Sequence, residues 1–185
     1  MPKSNKRQKA DDLFVRAERE QERGDRRSAF RLMLAAAKLG DIGAQVNVGN
    51  CYDDAQGVRR NRELALYWYR RAYRRGCSAA AHNMGVMLRK ENQLKRALRW
   101  FARAVELGDE ESNLEIGKHY LIEERNPRRA IPYLRRVRPS GWVTEAGVEE
   151  AQKLVKEATR ALRSASDSKR ADVVVRTRTD RSLRS

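Results

Sequence analysis

Four side chains in this sequence are of the kinds that bind metals or act as soft nucleophiles: Cys51, Cys77, His82 and His119. A structural or catalytic metal site needs such ligands at short, fixed spacings, and a redox site needs paired cysteines. No CxxC, HExxH or paired-histidine spacing is present. Cys77 and His82 stand five apart across a turn, and Cys51 lies in a helical stretch beside small packing residues. Two cysteines with no pairing signal fit a reducing compartment. Phosphate loops are missing too, because no glycine belongs to G-x-x-x-x-G-K-[ST] or G-x-G-x-x-G. Carboxylates are plentiful, yet they fall in runs such as Asp109-Glu110-Glu111 and Glu123-Glu124, which read as solvated helix faces. Trp68, Trp100 and Trp142 read as core residues rather than as platforms for bases. These residues point to no catalysis, no metal and no cofactor.

Charge is the remaining chemistry. The 185 residues carry 41 Lys and Arg against 25 Asp and Glu, for a net charge of +16 and a pI near 10.5. Where those charges face depends on the elements that carry them. Those elements repeat. A glycine is followed four residues later by a small residue and nine later by another glycine: Gly40/Ala44/Gly49, Gly76/Ala80/Gly85 and Gly108/Ser112/Gly117. A second column agrees with the first. Ala29, Ala65, Ala97 and Ala130 are followed at the third and fourth positions by Leu32-Met33, Trp68-Tyr69, Trp100-Phe101 and Tyr133-Leu134. At the seventh position come Ala36, Ala72, Ala104 and Val137. Offsets of three, four and seven mark one stripe of an α-helix. A period of 32 to 36 residues marks an array of two-helix units, each stacking on the next.

Packing physics fits this register. Gly49, Gly85 and Gly117 stand inside first helices, where glycine costs roughly 0.5–1 kcal/mol against alanine, so close crossing of helices is the expected compensation. Gly40, Gly76 and Gly108 end second helices, where a left-handed cap favours glycine. Asp25, Asn61 and Asn126 stand four residues before the second-helix alanine and are good N-cap types, and Pro127 takes the first helical position after Asn126. Arg23-Gly24-Asp25 reads as a turn rather than an adhesion motif.

The stretch Ala44, Val48-Gly49, Tyr52, Gly57-Val58, Ala65, Trp68-Tyr69, Ala72 and Gly76 resembles the Sel-one-like repeat family, a relative of the tetratricopeptide repeats. The next unit keeps Met84-Gly85, Ala97, Trp100-Phe101, Ala104 and Gly108 but lacks the glycine-valine loop. The last keeps Ile116-Gly117, Tyr120 and Ala130 but carries Pro132 in its second helix, and the first has Ala17 at the glycine position. The resemblance covers about residues 11–141. It implies an all-α, right-handed solenoid that binds partners and has no catalytic residues. The expected organisation is a basic disordered arm at 1–10 and helix pairs at 11–40, 41–76, 77–108 and 109–141. A polar-backed capping helix at 142–164 and a disordered tail at 165–185 complete it.

With helices assigned, the charges separate. The windows of the first helices hold six basic and fourteen acidic residues, and those of the second helices twenty and two. Cross-helix ion pairing is one explanation; a basic ridge for phosphates or an acidic protein surface is the other. The expected function is a non-enzymatic adaptor that presents a groove to a protein or peptide. By analogy with tetratricopeptide arrays, the groove residues are Phe14, Glu18, Val46, Asn50, Asp53, His82, Arg89, Leu114, Lys118 and Leu121. The alternative is a basic repeat protein that associates weakly with nucleic acid or another polyanion through the tails and the second-helix residues Arg70, Arg71, Arg74, Arg75, Arg99, Arg103, Arg135 and Arg136. No apolar run approaches the length of a membrane span, and no signal-peptide pattern opens the chain. A cytoplasmic monomer is the resulting expectation.

Overall fold

The computed structural model describes residues 2–139 and 143–182 in backbone, and residues 5–139 and 143–166 in side chains as well. Trp142, Ser140 and Gly141 lie outside the described residues. The chain is an all-α repeat fold. Its helices are α1 (Pro2–Glu22), α2 (Arg26–Leu39), α3 (Ile42–Asp54), α4 (Arg62–Tyr73), α5 (Ser78–Lys90), α6 (Leu94–Glu106), α7 (Glu111–Lys118), α8 (Pro127–Leu134) and α9 (Glu145–Ser182). A π-helical turn, His119–Glu123, continues α7. No strand occurs among the described residues. The contacts divide the chain into one unit ending at Asp109 and a second beginning at Glu110.

Both ends are more helical than the sequence pattern suggested. The basic stretch at 2–10 forms the first turns of α1, and α9 continues past Arg163 through the stretch expected to be disordered. Neither extension contains glycine or an internal proline, and adding a residue to an existing helix avoids the cost of nucleation.

The helix ends follow the local chemistry. Asp25 accepts from the Ser28 amide at 3.0 Å, Asn61 from Leu64 at 3.0 Å and Asn126 from Arg129 at 3.2 Å. Asp41 does the same for Ala44 at 2.5 Å. The caps at Asp41, Asn61 and Asn126 each contribute about 1 kcal/mol. The hydrogen bonds from Ser28 also hold the Asp25 carboxyl below its ordinary value. Gly40 closes α2 at φ 104°, and Gly76 and Gly108 also have positive φ.

Within each pair, the interior glycine receives one large side chain. A Cβ at Gly49 would lie 2.4 Å from the Tyr69 ring, and one at Gly85 would lie 2.6 Å from Phe101. In the second unit a Cβ at Gly117 would lie 2.4 Å from Leu134. The second members Tyr69, Phe101 and Leu134 therefore seat on their own pairs' glycines. The first members Trp68 and Trp100 reach back to the preceding pair. Trp68 joins a cluster with Ala17, Phe30, Met33, Ala36 and Val48, and half-buried Trp100 packs against the cluster holding Val46, Ala65 and Tyr69. Val58 of the glycine-valine loop packs on the first of these clusters. In the second unit α9 packs on α8, burying Ala151 and Ala158, with Val148, Leu154 and Val155 partly buried.

One long-range ion pair ties α4 to the end of α5. Arg62 donates to both Glu91 oxygens, with Nη2 at 2.7 Å from Oε2, and this guanidinium holds the Glu91 carboxyl below its ordinary value. A depressed carboxyl pKa stabilises the fold above the unfolded-state value, near 4.3, and that stabilisation fades as pH falls through the folded-state value. Both groups are partly exposed, so the pair contributes about 1 kcal/mol or less. In urea melts the advantage of wild type over Arg62→Ala should be full at pH 6 and vanish once Glu91 is protonated. An advantage unchanged by acidification would show that Arg62 acts by packing alone.

Candidate functional site

Eight of the ten residues expected to line a groove divide into three groups, and Glu18 and Arg89 stand outside them. The first is interior. Val46 and Leu114 are only 8% and 7% exposed and belong to the hydrophobic clusters, so they are corrected from groove residues to core. Consecutive positions on a helix differ by about 100° in direction, and these two turn toward the packed side. Leu121 packs against the same cluster as Leu114, and Phe14 packs against the cluster around Ala17 and Phe30.

The second group is occupied by contacts within the fold. His82 Nδ1 lies 3.2 Å from Asp109, and its ring lies 5.6 Å from that of Phe101. Lys118 pairs with Glu150 of α9 at 2.7 Å. Glu18 and Arg89 are exposed.

The third group is the site. Asn50 on α3 is half-buried, and its Oδ1 accepts from the Tyr69 hydroxyl at 2.7 Å and from Asn83 Nδ2 of α5 at 2.8 Å. Burial, reinforced by the Asp53 and Asp54 carboxylates, pushes the Tyr69 hydroxyl far above its ordinary pKa, so it remains a donor. One turn along α3, buried Asp53 faces Arg60 at 3.5 Å and Lys90 of α5 at 3.6 Å, and Lys90 also reaches Asp54 at 3.3 Å. The amide pair and the carboxylate–ammonium cluster thus sit side by side across α3 and α5. A cleft of about 200 Å³ adjoins them, lined by Phe30, Met33, Asn47, Asn50, Cys51 and Asp54 among others. It is smaller than the usual pocket for a small molecule. Cys51 and Cys77 are free thiols, and burial pushes Cys51 up, away from thiolate reactivity.

Asn83 and Lys90 were absent from the sequence-derived groove. Asn83 carried a signal: it stands two residues before its packing glycine, as Asn47 does in the preceding unit. Lys90 carried none.

The arginine ridge is solvent-facing at Arg70, Arg74, Arg75, Arg99, Arg103, Arg135 and Arg136, with Arg71 half-buried. Three of these arginines stack on an aromatic three residues earlier in the chain. Arg71 lies 5.6 Å from the centre of Trp68, Arg103 lies 4.4 Å from that of Trp100, and Arg136 lies 6.0 Å from that of Tyr133. Arg75 donates to the Gly40 carbonyl. Among the described residues, none of the eight forms an ion pair with a carboxylate. Cross-helix ion pairing therefore does not account for this charge. No described helix is long and apolar enough to cross a membrane.

Comparison with known proteins agrees with the repeat fold. The family model described as "Sel1 repeat" matches residues 20–41, 42–77 and 78–109. A Sel1 repeat protein from Oxalobacter formigenes superposes with a TM-score of 0.63 at 26% identity, over 82% of this chain and 62% of that one. A protective antigen of uropathogenic Escherichia coli with the SLR fold gives a TM-score of 0.61 at 24% identity, over 69% of this chain and 30% of that one, a likeness of fold alone. An F-box protein of Arabidopsis thaliana is 30% identical over 88 residues, which span 47% of this chain and a quarter of that protein.

Proposed function

Because residues 20–109 of this chain are three Sel1 repeats, we propose that it is a non-enzymatic adaptor that binds an extended peptide of a protein partner across α3 and α5. Repeats of this kind generally serve as protein-interaction scaffolds. One observation supports the location. Asn50 Nδ2 and Asn83 Oδ1 have no partner among the described residues, although the other atoms of this amide pair are committed. A free donor beside a free acceptor matches the donor and acceptor of a peptide backbone. Asp53, Lys90 and Arg60 next to them supply charge that selects the side chain following that backbone.

The test is capture from lysate by the full chain and by Asn50→Ala, Asn83→Ala and Asp53→Asn. Removing a hydrogen bond to a bound peptide costs about 1–3 kcal/mol when the partner group is left buried. Each variant should therefore keep its helical circular dichroism and lose about fivefold or more of one defined protein partner, with or without nuclease. Capture that ignores all three substitutions and disappears with nuclease would overturn this reading.

A further inference from the structure

Helix α4 has a second face that the peptide-binding reading does not use. Tyr67, Arg70, Arg71 and Arg74 are spaced i, i+3, i+4 and i+7, so they form one stripe running on past the end of the helix at Tyr73. Tyr67 is 52% exposed and is the one exposed aromatic ring among the described residues. It is nonetheless held in place. Trp68 meets it edge to face at 5.2 Å, and Arg71 Nη1 donates to its hydroxyl at 3.3 Å while the same guanidinium lies over Trp68. Arg70 and Arg74 are exposed and have no carboxylate partner among the described residues. The single carboxylate on α4 is Glu63, one turn before Tyr67.

The same register positions on the other second helices of this unit are basic only in part. Arg31 and Lys38 on α2 match Tyr67 and Arg74, and Arg99 and Arg103 on α6 match Tyr67 and Arg71, while Leu34, Ala35, Ala102 and Glu106 take the remaining positions. A cluster of arginines alone attracts any polyanion. A rigid, solvent-facing ring set among them adds a flat π surface, which suits a nucleobase and is of no particular use to an acidic peptide.

We propose that this face of α4 binds single-stranded nucleic acid, with one base stacked on Tyr67 and the neighbouring phosphates held by Arg70 and Arg74. Arg71 is a positioning residue that fixes the ring.

The experiment measures fluorescence anisotropy of a labelled twelve-residue oligouridylate with the full chain, between about 50 and 200 mM salt. Stacking of one base is worth about 1–3 kcal/mol, so Tyr67→Ala should weaken binding about five- to a hundredfold. Tyr67→Phe should stay within about twofold, because it keeps the ring. Tyr67→Leu keeps bulk without the π face and should lose as much as Tyr67→Ala. Arg70→Gln with Arg74→Gln should flatten the salt dependence by about 1.4, at roughly 0.7 per phosphate contact on a single strand. A duplex of the same length and polyglutamate serve as the other probes, and neither should respond to Tyr67→Ala. Two outcomes would overturn the proposal. In one, Tyr67→Ala and Tyr67→Leu leave oligouridylate binding unchanged while the arginine variant weakens all three polyanions alike. In the other, polyglutamate binds more tightly than the oligonucleotide and depends on Arg70 and Arg74, which would mark an acidic protein surface as the partner.

Discussion

Gly57→Ala should lower the stability of the chain by about 3 kcal/mol or more. Two separate penalties combine at this position. Gly57 has φ +69°, where an L-residue with a Cβ costs roughly 1–2 kcal/mol. A Cβ there would also lie 2.0 Å from the Arg26 carbonyl oxygen and 2.6 Å from its carbonyl carbon. Those atoms belong to the first turn of α2, in the preceding helix pair, so they are backbone and cannot rotate away. Relieving such overpacking adds about 1–3 kcal/mol. Gly24→Ala separates the two penalties, because Gly24 has φ +82° with nothing within 4 Å of its would-be Cβ. That control should lose only the conformational 1–2 kcal/mol. Urea denaturation of both variants is the measurement. Equal losses would mean that the loop after α3 is not seated on α2, and the account of Gly57-Val58 as a joint between repeats would fail.

Gly85→Ala should also destabilise, although helix propensity alone predicts the opposite sign. Alanine is favoured over glycine in a helix interior by about 1 kcal/mol. Against this, the added Cβ would lie 2.6 Å from Cε1 and 2.7 Å from Cδ1 of Phe101, a ring only 2% exposed and fixed by its surroundings. Forcing that ring aside costs about 1–3 kcal/mol or more, so a net loss is expected, larger still for Gly85→Leu. Gly43→Ala is the control inside α3. Its Cβ would meet nothing nearer than 3.4 Å, so the change should be neutral or stabilising by up to about 1 kcal/mol. A double-mutant cycle tests the cause. Phe101→Leu is itself destabilising, but it should absorb part of the Gly85→Ala penalty and give a coupling of about 1 kcal/mol. Additive losses would place the strain elsewhere than at this ring.

The sequence by itself determined the periodic and local features. The glycine, alanine and bulky columns set the helix pairs, because a helix stripe is a linear pattern and a repeat copies it. Asp25, Asn61 and Asn126 could be read as caps because a cap bonds an amide only three residues away. The terminal extensions of α1 and α9 were not legible, since polar stretches carry no stripe whether they are helical or not.

Only the tertiary structure decided what each surface offers. Asn50 meets Tyr69 and Asn83 across 19 and 33 residues, and such partners depend on how helices approach, not on spacing along one of them. A stripe also leaves the residues on its borders undetermined, which is why Val46 and Leu114 were expected on a groove and lie in the core. The segregation of charge onto the second helices was visible in composition. That the ridge arginines lack carboxylate partners among the described residues, and that Tyr67 stands exposed beside Trp68, required coordinates. Ion pairing and exposure are set by distances between elements, and a one-dimensional pattern of charges and rings does not contain those distances.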